Sequence, residues 1–239
     1  VLTDPPRRGI VTCPAGGEAD KSIPLSELFV DVGLSQTEAE RAVPVGTPMV
    51  YRGGCFALGE DQMCGKSMDD RSCFVTLLRA AELLRDRELD VDLYLLGSTR
   101  EEVSGAGATV GTWAVQPDFC VAVDVTHGRT PDGPSDGVFD LGSGVAVGMG
   151  PNLHRGFTKA LIKTAKANDI DYTLEIMEGN TGTNAWTMQI VGRGIAMGLL
   201  SIPEKYMHTP VEVVELSDVQ AVADLMAEFL REFDGEVGA

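Results

Sequence analysis

VDLYLLGSTREEVSGAGATV, residues 91–110, decides how the chain is read. Residues 91–97 are apolar, rich in β-forming side chains and bounded by polar positions, the pattern of a buried strand in a mostly parallel sheet. Two adjacent carboxylates, Glu101 and Glu102, follow where that strand would run out. In open α/β sheets this carboxyl edge is the crevice where ligands bind. Ser104-Gly105-Ala106-Gly107-Ala108 then supplies the small residues that let a helix start close to a strand. A solvated loop pair is the plainer reading of Glu101-Glu102, and the rest of the chain has to outweigh it.

Outward from that stretch, strands and helices alternate. Phe74, Leu77, Leu78, Ala81 and Leu84 recur at three- and four-residue spacing, which predicts an amphipathic helix over 72–85. Apolar runs predict strands over 119–125, 144–147, 172–176 and 197–202. Helices are expected over 105–115, 155–168 and 185–193, and a last one opens at Ser217 with Val219, Val222, Leu225, Met226, Phe229 and Leu230 on one face. This rhythm implies an α/β fold: a mixed, mostly parallel sheet with helices on both faces. Residues 1–65 differ, because Pro and Gly punctuate short apolar pieces and only Ser35 with Glu38 marks a helix start, as a capping box. They are expected to form part of a small β-rich domain, and residues 66–239 an α/β catalytic domain.

With 239 residues, 44% of them apolar and 23% charged, the chain has ordinary globular composition. A formal charge of −17 argues against nucleic acid or an anionic membrane as partner, since both need a basic face. The five cysteines, Cys13, Cys55, Cys64, Cys73 and Cys120, form no CxxC pair and are expected as reduced thiols in a cytoplasmic protein. No apolar run approaches the roughly 20 residues of a membrane span. Val1 is an odd first residue, since a native chain is expected to open with Met or a recognisable cleavage context, and the beginning is expected to be missing.

Position relative to strand ends singles out further acids. Asp69 and Asp70 precede the first helix of the alternating region, Asp124 closes the strand after Glu101-Glu102, and His208 follows the strand ending near Ile202. All are expected on one edge of one sheet. Carboxylates crowded in this way repel unless cations or protons neutralise them, so the arrangement predicts metal. Carboxylates with one imidazole suit zinc, cobalt or manganese, and a bridging carboxylate holds two such ions about 3.5–4 Å apart. Each residue also has a plainer role: helix capping for Asp69-Asp70, a turn for Asp124, a loop histidine for His208. Taken singly those roles hold, and taken together they do not.

Gly65-Lys66-Ser67-Met68-Asp69-Asp70-Arg71, Glu101-Glu102-Val103 with Gly105-Ala106, Ala122-Val123-Asp124-Val125-Thr126, Gly182-Thr183-Asn184-Ala185 and Tyr206-Met207-His208-Thr209-Pro210-Val211-Glu212 occur in that order. Over nearly its whole length the chain resembles the tetrahedral, glutamyl-type metallo-aminopeptidases, also labelled cellulase-M-like. The resemblance implies two divalent metal ions, with Asp69 bridging them, Glu102 and His208 completing one site, and Asp124 belonging to the other. It implies Glu101 as the general base and a cis peptide between Asp69 and Asp70. It further implies short peptides as substrates and homo-oligomers from a dimer up to a tetrahedral dodecamer, built through the small domain.

Two departures matter. The family's further ligand, a histidine within a His-x-Asp motif, has no match among His127, His154 and His208, so the set at Asp69 and Asp124 lacks its imidazole. His127 and His154 are expected as surface or capping residues, His154 at a helix start, with His127 the alternative stand-in for the imidazole near the metal edge. Asn184 stands where many members have Asp, which weakens any contact to a ligand or substrate amine; its plainer role is to cap the helix at Ala185. The rival reading is a non-catalytic or truncated homologue acting as a structural or regulatory subunit. A glycosidase is disfavoured, because adjacent carboxylates do not flank a glycosidic bond.

Overall fold

The computed structural model describes residues 1–13 and 22–237. By its internal contacts the chain divides into two units, Val1–Arg52 and Gly53–Ala239. In the first, β1 (Ile10–Thr12) pairs antiparallel with β2 (Phe29–Asp31). Helix α1 (Gln36–Ala42) opens with the expected capping box: the Ser35 amide and hydroxyl donate to the Glu38 carboxylate at 3.1 and 2.5 Å.

The second unit is a seven-stranded mixed sheet covered by helices. Its long central strand, β8 (Ala196–Lys205), runs parallel to β5 (Phe119–His127) along one edge. The other edge pairs antiparallel with β6 (Val145–Met149) and then with β9 (Glu212–Glu215). Beyond β6 lies the parallel strand β7 (Tyr172–Ile176). Beyond β9 lies the hairpin of β4 (Gln62–Gly65) and β3 (Phe56–Leu58).

The two-residue period of β8 explains the layers. Leu200 and Ile202 point into a core built with Cys73, Phe157, Leu161, Val222 and Phe229, whereas Met197 and Leu199 point the other way, toward Ala108, Ala185 and Met188. Helices α2 (Met68–Leu84), α5 (Arg155–Ala167) and α7 (Leu216–Glu232) supply the first set; α4 (Ala106–Val115) and α6 (Asn184–Met188) supply the second. Both faces are covered, as the alternation of strands and helices predicts.

Four local expectations are corrected. Residues 91–97 form no strand, and among the described residues none of their backbone groups is hydrogen-bonded; the run is strand-like in composition but has no partner strand beside it. The face that α2 buries is Cys73, Thr76, Ala80 and Leu84, while Phe74 and Leu78 stay about half exposed. The helix expected over 185–193 stops at Met188, because the chain turns through Gly192 and Gly194 at positive φ. The start of α7 shifts by two residues, with Glu215 rather than Ser217 as its cap.

Candidate metal centre

Three chain segments deliver Asp69, Asp70, Glu101, Glu102 and His208, and β5 adds Asp124. The first is the start of α2, where Asp69 and Asp70 are non-helical and joined by a cis peptide. Two amide N–H groups there, of Met68 and Asp69, donate to Glu212 Oε2 on β9 at 2.7 and 3.3 Å. The second is α3 (Glu101–Ser104), a single turn that opens on Glu101 and Glu102. It is followed directly by α4, whose approach requires glycine: a Cβ at Gly107 would lie 2.3 Å from the Thr99 carbonyl oxygen. The third is the turn between β8 and β9 that carries His208. Ser67, Arg100 and His208 all take left-handed backbone conformations, with φ of 59°, 60° and 61°. Strain of this kind gathers where side chains must be aimed.

His208 Nε2 lies 3.1 Å from Asp69 Oδ2 and 3.2 Å from Glu102 Oε2. A second group of Asp69, Asp70 and Asp124 brings one oxygen from each within 4.8 Å of the others. Asp124, buried near the end of β5, accepts only from the Val125 amide at 2.9 Å, and Asp70 Oδ1 is buried with no partner. Glu101 stands half-buried beside the cluster.

Electrostatics follow from this crowding. Burial, then the Glu102 carboxylate, pushes Asp69 up to about 6, against the pull of His208. Burial pushes Asp70 up to about 7 and holds Asp124 well above the usual carboxylate range. Glu101 is raised by burial and by Glu102. Among the described ion pairs none joins a lysine or arginine to these acids, and the imidazole of His208 is their one basic neighbour. An orphaned Asp70 oxygen, suppressed ionisation and an imidazole within reach of two carboxylates are what a divalent cation would relieve, so the donor set fits such an ion.

The remaining expected residues fall as follows. Asn184 is the first residue of α6, and the cap is instead Thr183, whose hydroxyl accepts from the Ala185 amide. Asn184 Nδ2 donates to Ser98 Oγ at 3.0 Å and its Oδ1 is buried and unpartnered. His154 caps α5, accepting from the Phe157 amide through Nδ1. His127 is exposed at the end of β5 and joins none of the ligand groups.

Two acids escape a reading of the sequence. Glu212 is quoted within the His208 motif without a role, and Glu204 carries no signal at all. Glu204, 1% exposed on β8, joins Asp69 and Glu212 in a third carboxylate group, with both of its oxygens unpartnered. Burial, then Glu212, pushes it up to about 9.

The M42 glutamyl aminopeptidase family model matches residues 12–225. The lysyl aminopeptidase of Pyrococcus furiosus is 32% identical over 219 residues, which is 91% of this chain and 62% of that protein. The chain therefore spans less than two thirds of that relative's length. An aminopeptidase from the archaeon Desulfurococcus kamchatkensis superposes with a TM-score of 0.85 at 34% identity, covering 95% of this chain and 65% of its own. A Pyrococcus horikoshii TET1 peptidase, described as assembling into a tetrahedron or a large octahedral shell, shares the fold at a TM-score of 0.73 and 24% identity, over 94% of this chain and 68% of that one.

Proposed function

The chain belongs to the M42 glutamyl aminopeptidase family, and from that premise we propose that it works as a dinuclear metal-dependent aminopeptidase that removes amino-terminal residues from short peptides. The observation that carries this reading is the imidazole of His208 within 3.1 and 3.2 Å of Asp69 and Glu102, beside the half-buried Glu101. Asp69, Glu102 and His208 would hold one ion, and Asp69 with Asp124 would hold the other, whose set is short of an imidazole. Bound divalent ions, whether zinc, cobalt or manganese, supply Lewis acidity that lowers the pKa of water and polarises a carbonyl.

The chain's own groups do the rest. Glu101 takes the proton of the attacking water and hands it to the leaving amine, and its raised pKa moves it toward the working range of a base. The surrounding carboxylates attract the substrate's α-ammonium and so favour cleavage at the amino terminus. Asp70 and Asn184 act from behind, Asp70 from its buried place next to Asp69 and Asn184 by bonding Ser98. Homo-oligomers, from a dimer up to a tetrahedral dodecamer, would form through residues 1–65, and the compartment would be the cytoplasm. Among the described residues no helix is long and apolar enough to cross a membrane.

Turnover of an aminoacyl anilide, with and without chelator, tests the reading. Glu101→Gln should lower kcat by roughly 10²–10⁴-fold, the range of general acid–base catalysis, while metal content by mass spectrometry stays unchanged. Retained turnover would remove Glu101 from the base role, and turnover indifferent to chelator would remove the metals.

A further inference from the structure

Asp69, Glu204 and Glu212 form a carboxylate group distinct from the other two. Glu204 reaches it from β8 and Glu212 from β9, and one oxygen of each of the three acids lies within 4.8 Å of the others. All three are buried, Glu204 at 1% exposure and Glu212 at 3%. Glu212 is held through Oε2 by the Met68 and Asp69 amides, which leaves Oε1 for another partner.

Glu204 supplies an independent observation. Both of its oxygens are shut off from water, and among the described residues neither has a hydrogen-bond partner. Buried carboxylates normally accept from donors, because each oxygen otherwise forfeits the water it has left. The nearest lysines in the chain do not serve. Lys205 follows Glu204 on β8 and so faces the opposite side of the sheet, and Lys66 donates to the Ser67 hydroxyl. No described ion pair reaches Glu204 or Glu212. Charge points the same way. The three groups around Asp69 contain six acids, the others being Asp70, Glu102, Asp124, Glu204 and Glu212. Two divalent ions would offset four of those charges and leave two, the charge of one more such ion.

We propose that Asp69, Glu204 and Glu212 form a third cation site, additional to the two of the aminopeptidase reading, for a hard divalent cation of the magnesium, manganese and calcium class. The donors select that class: three carboxylates without an imidazole or thiolate suit hard cations, whereas zinc and cobalt find nitrogen at His208. Size agrees with it. Two oxygens on opposite sides of calcium lie about 4.6–5.2 Å apart and of magnesium about 4.0–4.2 Å, so a group held within 4.8 Å closes on either with small side-chain shifts. Asp69 is common to this site and the His208 centre. The ion would therefore fix that aspartate, and through Glu212 the start of α2, without taking part in a reaction. The site stands if the peptidase reading falls.

Equilibrium dialysis of the 239-residue chain against Mn²⁺, with bound metal counted by mass spectrometry, tests it. Glu204→Gln keeps the shape of the side chain and removes its charge, and at saturation it should bind one ion fewer per chain than the unaltered protein. The same loss should appear when Glu204→Gln is added to His208→Ala, since this ion does not use the imidazole. Ions lost on His208→Ala alone belong to the peptidase centre, so the two readings are scored separately. Glu204→Val, a strand former at the same buried place, is the second variant, and circular dichroism checks that each folds. Equal counts in the unaltered chain and a folded Glu204 variant would overturn the site and leave Glu204 a buried acid without an ion. A loss seen only while His208 is intact would overturn it too, because Glu204 would then act by steadying the His208 centre.

Discussion

Glu204 sits on β8, 1% exposed, with Glu212 and Asp69 around it and no donor for either oxygen. Its folded-state pKa of about 9 lies above the ordinary 4.5. Below pH 4.5 both folded and unfolded chains hold the proton and nothing is lost. As pH rises from there toward 9, the unfolded chain releases the proton and the folded one keeps it, so stability falls. At pH 7 the loss is about 1–3 kcal/mol, allowing for relaxation around a partly screened group. Glu204→Gln should therefore stabilise the metal-free protein by about that amount at pH 8 and by much less at pH 5.5. Urea midpoints at the two values check it; a gap that stays constant with pH would mean that Glu204 ionises freely. Nothing in Ser201-Ile202-Pro203-Glu204-Lys205 announces this, because an acid between Pro and Lys looks solvated, and it is pairing with β5 on one side and β9 on the other that buries it. Asp69, Glu102 and His208 carry sequence signals of other kinds, Asp69 before an amphipathic helix, Glu102 just past an apolar run and His208 in the segment after one.

At the scale of elements, the start of α4 shows how the sequence holds Glu101 and Glu102 in place. Gly107 donates its amide to the Thr99 carbonyl at 3.0 Å, and a Cβ there would meet the Thr99 oxygen at 2.3 Å and its nitrogen at 2.4 Å. Backbone cannot give way as a side chain can. Gly107→Ala should cost about 2–4 kcal/mol and shift the α3 turn. Gly111→Ala on the same helix meets only Leu96 side-chain atoms, the nearest at 2.8 Å, and should cost under about 1.5 kcal/mol. Thermal melts of the two variants separate these cases, and equal losses would refute the close approach. The small residues of 104–108 made this legible, whereas the strand expected over 91–97 was not realised. Composition states what a run would do beside a partner and says nothing about whether the partner is there.

For the whole molecule, four aromatic rings join sheet and helices. Phe157 of α5 lies 5.2 Å from Phe229 and 6.0 Å from both Phe119 and Phe233, centroid to centroid. Being 2% exposed, it cannot be replaced by solvent. Phe157→Ala should lower stability by about 3–5 kcal/mol, read from denaturant midpoints. A loss under about 1 kcal/mol would mean that this core is not shared. The layered α/β plan was legible because β8 alternates its apolar side chains between two helix sets, and a period of two survives in sequence. Which strands neighbour one another was not, since β8 meets β5, β6 and β9 from 50 or more residues of separation or from a turn, and short runs do not encode partners.

Glu212 links distant parts of the chain. Its carboxylate grips amides 143 and 144 residues away in sequence, at the start of α2, and it lies four residues after His208. The aspartate segment and the histidine turn are thus bolted to one another, not merely brought near. Loosening either loosens the other, so a change at Glu212 reaches Asp69 and His208 together, while Glu102 on its own turn is left as it was.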